Sequence, residues 1–233
     1  METLAKETDG FFARHFDRRI SGAISRQLIK TPVTPNQITV LVTIIGVGAG
    51  YLMSQRGYNA KVAGAFVFLL TSILGGCDGE VARAKKMTSR LGGGLDLWGD
   101  NVVHVSVFYG LGLGLFRDTG SLAYLKLGWA AVWGTVISAA LASYQTWRKG
   151  KSSFTSVAGD SSALNDEPAW KRILIRASDA LARRDFVYGV VILAIMGHLE
   201  WFLWACAIGS LVYACVLGFL AAFGTARADS PSM

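Results

Sequence analysis

The chain has 233 residues, of which 52% are apolar and 17% charged, with a formal net charge of +7. That balance excludes an ordinary soluble domain, and the long apolar runs separated by short basic stretches are the pattern of a polytopic helical membrane protein. The positive charge does not imply a nucleic-acid partner, because the basic residues cluster at the ends of the apolar runs, where lipid headgroups and topology account for them.

Residues 1–36 read as an amphipathic juxtamembrane segment. Phe11, Phe12, Phe16, Ile20, Ile24 and Leu28 recur at helical spacing, with Arg14, Arg18, Arg19, Arg26 and Lys30 between them. This is the pattern of a helix lying in the membrane interface, although a helix that docks on a soluble partner shares it. The first apolar run starts near Ile38, after this charged stretch, which argues against a cleaved signal peptide. Thr31-Pro32-Val33-Thr34-Pro35-Asn36 breaks the helix, and Thr34 or Asn36 is placed to cap the next one.

Residues 37–228 are expected to form one all-α domain of six spans, at 38–53, 60–84, 93–116, 122–147, 186–198 and 201–223. Trp98, Trp147, Trp201 and Trp204 lie near span ends, as interfacial aromatics do. Nearly all Lys and Arg fall in the N-terminal segment, the second-to-third and fourth-to-fifth connections and the C-terminus, while the opposite side keeps Arg56, Lys61, Arg117 and Lys126. The positive-inside rule therefore predicts a cell-membrane protein with both termini cytoplasmic. The fourth-to-fifth connection opens with Arg148, Lys149 and Lys151, passes through the Ser-rich stretch 152–166, and ends in the basic, amphipathic stretch 170–184. That last stretch is expected to be a second interfacial helix. Cys77, Cys206 and Cys215 form no CxxC pair and no disulfide framework.

The end of the second span and the start of the third carry Asp78, Gly79, Glu80, Ala82, Arg83, Gly92, Asp96 and Asp100. Asp96 and Asp100 are one helical turn apart and share a face. Consecutive spans run antiparallel, so Asp78 is brought near both at the cytoplasmic side. Three carboxylates in a partly dehydrated pocket repel one another. A hard divalent cation such as Mg2+ or Mn2+ would neutralise them, because it takes oxygen ligands and works with phosphate. Gly79 and Ala82 leave the backbone open to a phosphorylated ligand, and Arg83 offers bidentate contact to it. Gly92, followed by Gly93 and Gly94, lets the third helix start closely packed. Lys85, Lys86 and Arg90 read equally as phosphate contacts and as solvated charge. A purely structural alternative pairs the acids with these cations and Arg83. His104 lies one turn beyond Asp100 on the same face. It could orient a carboxylate or ligate a metal, and the simpler role is a histidine hydrogen-bonded between helices.

These residues and their spacing resemble the signature of the CDP-alcohol phosphotransferases, D-x2-D-G-x2-A-R-x8-G-x3-D-x3-D, which Asp78, Gly79, Ala82, Arg83, Gly92, Asp96 and Asp100 match. Residues 31–39 are also similar to the segment that leads that family's first span. The resemblance implies a six-helix, homodimeric membrane enzyme. It would transfer a substituted phosphate group from a CDP-linked alcohol to an acceptor hydroxyl and release CMP, in phospholipid or inositol-phosphate-type synthesis. It aligns Asp100 with the general base, Asp78, Asp96 and Asp100 with ligands of Mg2+ or Mn2+, and Gly79, Ala82, Arg83 and Gly92 with donor binding. Arg183 and Arg184, with Asp185, resemble a cluster that binds the acceptor's phosphate in inositol-phosphate-transferring members; as flanking charge they would serve topology alone. Small residues at Gly46, Gly48 and Gly50 offer a close helix contact.

One position departs from the signature. Its first aspartate falls at residue 75, which here is Gly75. Glu80 is a poor stand-in, because five residues along a helix turns a side chain roughly 140° away. The departure keeps open a relative that binds without turnover; within the class, a phosphatidylglycerophosphate-type synthase is the alternative. A small transporter would carry its ionisable groups near mid-membrane instead.

Overall fold

The first long helix starts on Thr34. Its hydroxyl accepts from the Gln37 backbone N–H, and the Gln37 side chain accepts from the Thr34 N–H, a capping box with Pro35 in the first turn. The computed structural model describes residues 18–148 and 186–223. Phe11, Phe12, Phe16, the basic stretch 170–184 and both Arg183 and Arg184 lie outside the described residues. The described residues are all-helical: α1 (Arg18–Ile29), α2 (Pro35–Ser54), α3 (Tyr58–Leu74), α4 (Cys77–Ala84), α5 (Arg90–Thr119), α6 (Leu122–Arg148), α7 (Phe186–Ile195) and α8 (Leu199–Phe223).

Among the described residues, four stretches are long and apolar enough to cross a membrane: α2, the run Tyr58–Ala84 through α3 and α4, Leu122–Tyr144 of α6, and Leu199–Phe219 of α8. α5 has the length, at 30 residues, but carries Asp96 and Asp100 among many glycines, and α7 has 10 residues. The outer surface is apolar, with Ile44 at 63% exposure and Leu41, Trp133 and Trp201 similarly open. Such a surface fits a lipid environment and not water.

The expected continuous span 60–84 is divided in two. Gly75 and Gly76 lower helix propensity. The Gly75 N–H bonds to the Thr71 carbonyl and the Gly76 N–H to the Ile73 carbonyl, and α4 sets off from this tightened turn. α4 stops without a glycine: Met87 N–H reaches the Ala82 carbonyl and Lys86 N–H the Arg83 carbonyl, with Lys86 at φ 56°. This is a Schellman ending with a lysine where glycine usually sits.

α2 lies along α5 in the most extensive packing of the chain, followed by α6 with α8, α5 with α6, and α2 with α3. The α2–α5 seam is backbone against backbone. A Cβ at Gly110 would lie 2.1 Å from the Gly50 carbonyl oxygen, and one at Gly114 2.0 Å from that of Met53. Gly46 faces Val103 and Gly50 faces Ser106, so these two glycines serve packing inside the chain; a Cβ at Gly48 would meet nothing within 4 Å. Met53, Val107, Leu111, Val190 and Leu203 fill the main core between α2, α5, α7 and α8. A second, smaller cluster of Ile38, Val42, Cys77 and Val81, with Ile24 and Leu28 of α1 against it, seats α4.

At the far end of the bundle a polar group joins α2, α3 and α5. Lys61 is 5% exposed, pairs with Asp118 and donates to the Gln55 carbonyl. Asp118 also accepts from the Gly57 N–H, and Arg117 donates to the Ser54 carbonyl at 2.7 Å.

Candidate active site

α4 is held on its inner side and at its end. Cys77 and Val81 are buried against α2 and α1. The Glu80 carboxylate, 6% exposed, accepts from Ser21 Oγ of α1 at 3.0 Å. Lys85 Nζ donates to the carbonyls of Thr31 at 2.6 Å and Val33 at 2.8 Å, tying the end of α4 to the loop before α2. The remaining side of α4 presents Asp78, Gly79, Ala82 and Arg83 to open space. α4 has no substantial packing against α5, and α2 bridges the two.

The open space consists of two cavities with a common wall. The larger, about 380 Å³, is lined by Asn36, Gly79, Ala82, Arg83, Ser89 and Gly92 among others. The smaller, about 110 Å³, is lined by Thr43, Ser72, Gly75, Asp100, His104 and Phe186 among others. Thr39, Asp78 and Asp96 line both. Every residue that matched the signature therefore borders one cavity or the other, and Gly75 stands beside the acids. Glu80 lines neither, because it is turned to α1.

The two cavities differ in charge. The starts of α2 and α5 border the larger one, through Pro35 and Asn36 and through Ser89, Gly92 and Gly93. Helix N-termini carry partial positive charge and present N–H groups to anions. Ser89 caps α5 by accepting from the Gly92 N–H at 3.0 Å. The Arg83 guanidinium lies over Gly79, where a Cβ would come within 3.4 Å of it. The larger cavity is thus suited to a phosphate group. Asp78 and Asp96 stand on the wall the two cavities share, and Asp100 lines the smaller one alone. Asp78 is 7% exposed; its Oδ2 accepts from Thr39 Oγ1 at 2.5 Å and its Oδ1 from the Gly79 N–H at 2.5 Å. Asp96 and Asp100 are half-buried.

His104 Nδ1 lies 2.7 Å from the Asp100 carbonyl oxygen, one turn back within α5. A carbonyl oxygen only accepts, so this geometry assigns the proton to Nδ1. The ring is surrounded by Phe68, Phe108 and Phe186, each with its centroid 5.8 Å away.

Apart from His104, the polar side chains of the smaller cavity, among them three carboxylates and the Thr39 hydroxyl, offer oxygen and suit a hard divalent cation in kind. Among the described residues no three His, Cys, Asp or Glu side chains are gathered into a metal-holding cluster. Thr39, Thr43 and Asn36 were not singled out as site residues from the sequence, although they form a polar stripe along an otherwise apolar α2.

A family model described as CDP-alcohol phosphatidyltransferase matches residues 32–164. The chain is 42% identical over 97 residues to a bifunctional IPC transferase and DIPP synthase of Thermococcus kodakarensis, a match covering 41% of this chain and 21% of that protein. It is 30% identical over 94 residues to an archaetidylinositol phosphate synthase of Pyrococcus horikoshii, covering 39% of this chain and 47% of that one. The matches thus span from about a fifth to about half of these relatives' length. Among solved structures, the phosphatidylinositol phosphate synthase of Mycobacterium tuberculosis with CDP-DAG bound superposes with a TM-score of 0.61 at 18% identity, covering 92% of this chain and 100% of that one. The same enzyme with manganese and citrate superposes at 0.59, covering 91% and 93%. At that identity the likeness is one of fold.

Proposed function

Since the chain belongs to the CDP-alcohol phosphatidyltransferase family, we propose that it transfers a substituted phosphate group from a CDP-linked alcohol to an acceptor hydroxyl and releases CMP. The observation that carries this reading is the meeting of the signature residues on two adjoining cavities, the larger alone bordered by Arg83 and two helix starts, the smaller alone by Asp100, with Asp78 and Asp96 on the wall they share. The donor's diphosphate lies in the larger cavity, against Arg83, the backbone at Gly79, Ala82 and Gly92, and the starts of α2 and α5. The acceptor hydroxyl enters the smaller cavity beside Asp100. Asp100 takes the hydroxyl proton as the oxygen attacks the phosphorus that bears the alcohol; the new O–P bond forms, the bond to CMP breaks, and the proton passes on to water. Asp78, Asp96 and Asp100 would hold Mg2+ or Mn2+, which when bound offsets the charge of the diphosphate and of the leaving CMP. Thr39 holds the Asp78 carboxylate in place.

CDP-diacylglycerol is the donor this reading favours, and an inositol phosphate the acceptor, by likeness to relatives whose names carry these groups. Arg183 and Arg184 would then meet the acceptor's phosphate. α5 and α7 complete six spans, α1 lies at the cytoplasmic interface, both termini are cytoplasmic, and the enzyme works in the cell membrane as a homodimer. A phosphatidylglycerophosphate-type acceptor is the variant within the class.

The test is CMP release by the purified full chain, given radiolabelled CDP-diacylglycerol or CDP-inositol, a panel of polyol phosphates, and Mg2+ or Mn2+. Asp100→Asn should lower turnover by about a hundredfold or more with an unchanged melting temperature; equal turnover in that variant would remove the mechanism. A second reading, a relative that binds a nucleotide-linked lipid without turnover, draws on Gly75 and on the lack of a gathered ligand cluster among the described residues. It predicts donor binding with no CMP from any pair.

A further inference from the structure

We propose that Lys85 is a positioning residue for the donor: its ammonium straps the end of α4 to the loop that starts α2, and so sets the width of the larger cavity without touching the ligand. The proposal rests on the reading above, in which that cavity takes the donor's diphosphate.

Beside a phosphate site, the plain use of a lysine is contact with the anion. Lys85 is committed elsewhere. It is half-buried, its Nζ donates to the carbonyls of Thr31 at 2.6 Å and Val33 at 2.8 Å, and it lines neither cavity. Both carbonyls belong to the loop that joins α1 to α2. Thr31 closes α1, with its N–H and its hydroxyl both donating to the Leu28 carbonyl. Thr34 caps α2. One side chain therefore joins the ends of α1 and α4 to the start of α2. Hydrogen bonds from an ammonium are stronger than neutral ones, which suits it to this task.

The place of the strap decides what it controls. The larger cavity takes part of its border from α4 and part from the starts of α2 and α5. Lys85 lies two residues beyond Arg83, and Val33 two residues before Pro35, so the strap ties the two borders next to the residues that meet the ligand. The other ties of α4 act earlier in the helix, through Cys77, Glu80 and Val81. α4 has no substantial packing against α5 that could hold its last turn in place. A diphosphate that meets Arg83 and the helix starts at once needs a fixed separation between them. A freed last turn has to be ordered again by the donor, and apparent affinity falls with the fraction of time the pocket is formed.

Binding of CDP-diacylglycerol to the full chain is measured by calorimetry with Mn2+ present. Lys85→Met keeps the stem and removes the strap; donor affinity should fall about tenfold, as it does when a pocket is formed about a tenth of the time. Lys85→Arg, whose fork can serve two carbonyls, should stay within about threefold of wild type. Lys86→Met removes the same charge from the next residue, which lines neither cavity, and should also stay within about threefold. Hydrogen exchange reads the strap itself. The amides of Lys85, Lys86 and Met87, which bond back to Val81, Arg83 and Ala82, should exchange faster in Lys85→Met and at the wild-type rate in Lys85→Arg. Equal donor affinity in Lys85→Met and wild type would overturn the proposal, as would an equal loss in Lys85→Met and Lys86→Met, the mark of charge alone. Wild type decides between a strap and a phosphate contact without any substitution. In limited acetylation read by mass spectrometry, Lys85 should react more slowly than the exposed Lys86, and at one rate with and without donor. A Lys85 that reacts freely until donor protects it would overturn the proposal. Wild type that binds no CDP-diacylglycerol would overturn this proposal and the transfer reading together. Donor binding that follows these expectations with no CMP release would sink the transfer reading and leave this one standing.

Discussion

Gly75 is the residue on which the chemistry turns. Its φ of −62° and ψ of −8° admit any L residue, and it lines the cavity that Asp78, Asp96 and Asp100 share. A carboxylate there would add a fourth acid to one small space. Gly75→Asp should tighten Mn2+ binding by roughly tenfold, because affinity follows the charge of the ligand set, and lower the metal-free melting temperature through like-charge repulsion. A flat calorimetric titration across wild type and variant would mean that residue 75 does not address the ion. Asp78, Asp96 and Asp100 were legible as lining one space, although the direct hairpin contact expected to join them is absent: α4 and α5 each pack on α2, and α2 brings the acids to one cavity. Thr39 and Thr43 were not. A threonine in an apolar helix commonly satisfies its hydroxyl on its own backbone, as Thr43 does on the Thr39 carbonyl at 2.8 Å. Nothing in the residue type tells that role from a bond to a carboxylate. His104 was placed on the face that lines the smaller cavity, but its Nδ1 contact to the carbonyl one turn back was not foreseen.

Among the elements, α4 shows most plainly what pattern reading misses. The pair Gly75–Gly76 is visible, yet membrane helices tolerate glycine, so one continuous span was the natural expectation. The end of α4 has no glycine or proline to announce it; the stop is backbone bonding around Lys86 at φ 56°. A left-handed lysine is strained by roughly 1 to 2 kcal/mol, part of which glycine gives back as unfolded-state entropy. Lys86→Gly should therefore raise stability by at most about 1 kcal/mol; a melting temperature several degrees lower would mean that the lysine side chain contributes a contact of its own. The α2–α5 seam supports an opposite expectation. Gly110→Ala would set a methyl 2.1 Å from the Gly50 carbonyl oxygen and should cost about 2 kcal/mol or more. Gly48→Ala, in open space, should cost nothing. Equal melting temperatures for the two variants in detergent would show that the helices are not in backbone contact.

At the scale of the whole molecule, the far end is secured by charge. Burial alone would raise the Asp118 carboxyl. Hydrogen bonds from Lys61 and the Gly57 N–H, with the charges of Lys61 and Arg56, outweigh it and hold the group below its ordinary value of 3.8. A folded-state pKa below the unfolded one stabilises fully above the unfolded value and is lost as pH falls through the folded one. Melting temperature should thus drop below about pH 4 in wild type, and Asp118→Asn should blunt that drop. The same variant leaves Lys61 buried beside the Gln55 carbonyl and should cost about 2 kcal/mol at pH 7. Parallel melting curves against pH in the two proteins would show that the pair is not coupled to folding.

This anchoring gives the bundle the mechanics of a clothes peg. α5, bolted at one end and seamed along α2, is the stiff jaw and carries Asp96 and Asp100. α4, reached through Gly75–Gly76 and tied to α1 and to the loop before α2, is the other jaw, and it carries Asp78 and Arg83. Lateral pressure from a crowded headgroup layer would press on α1 and, through the Ser21–Glu80 contact, on that jaw. Grip on a lipid-borne substrate would then vary with how tightly the surrounding leaflet is packed.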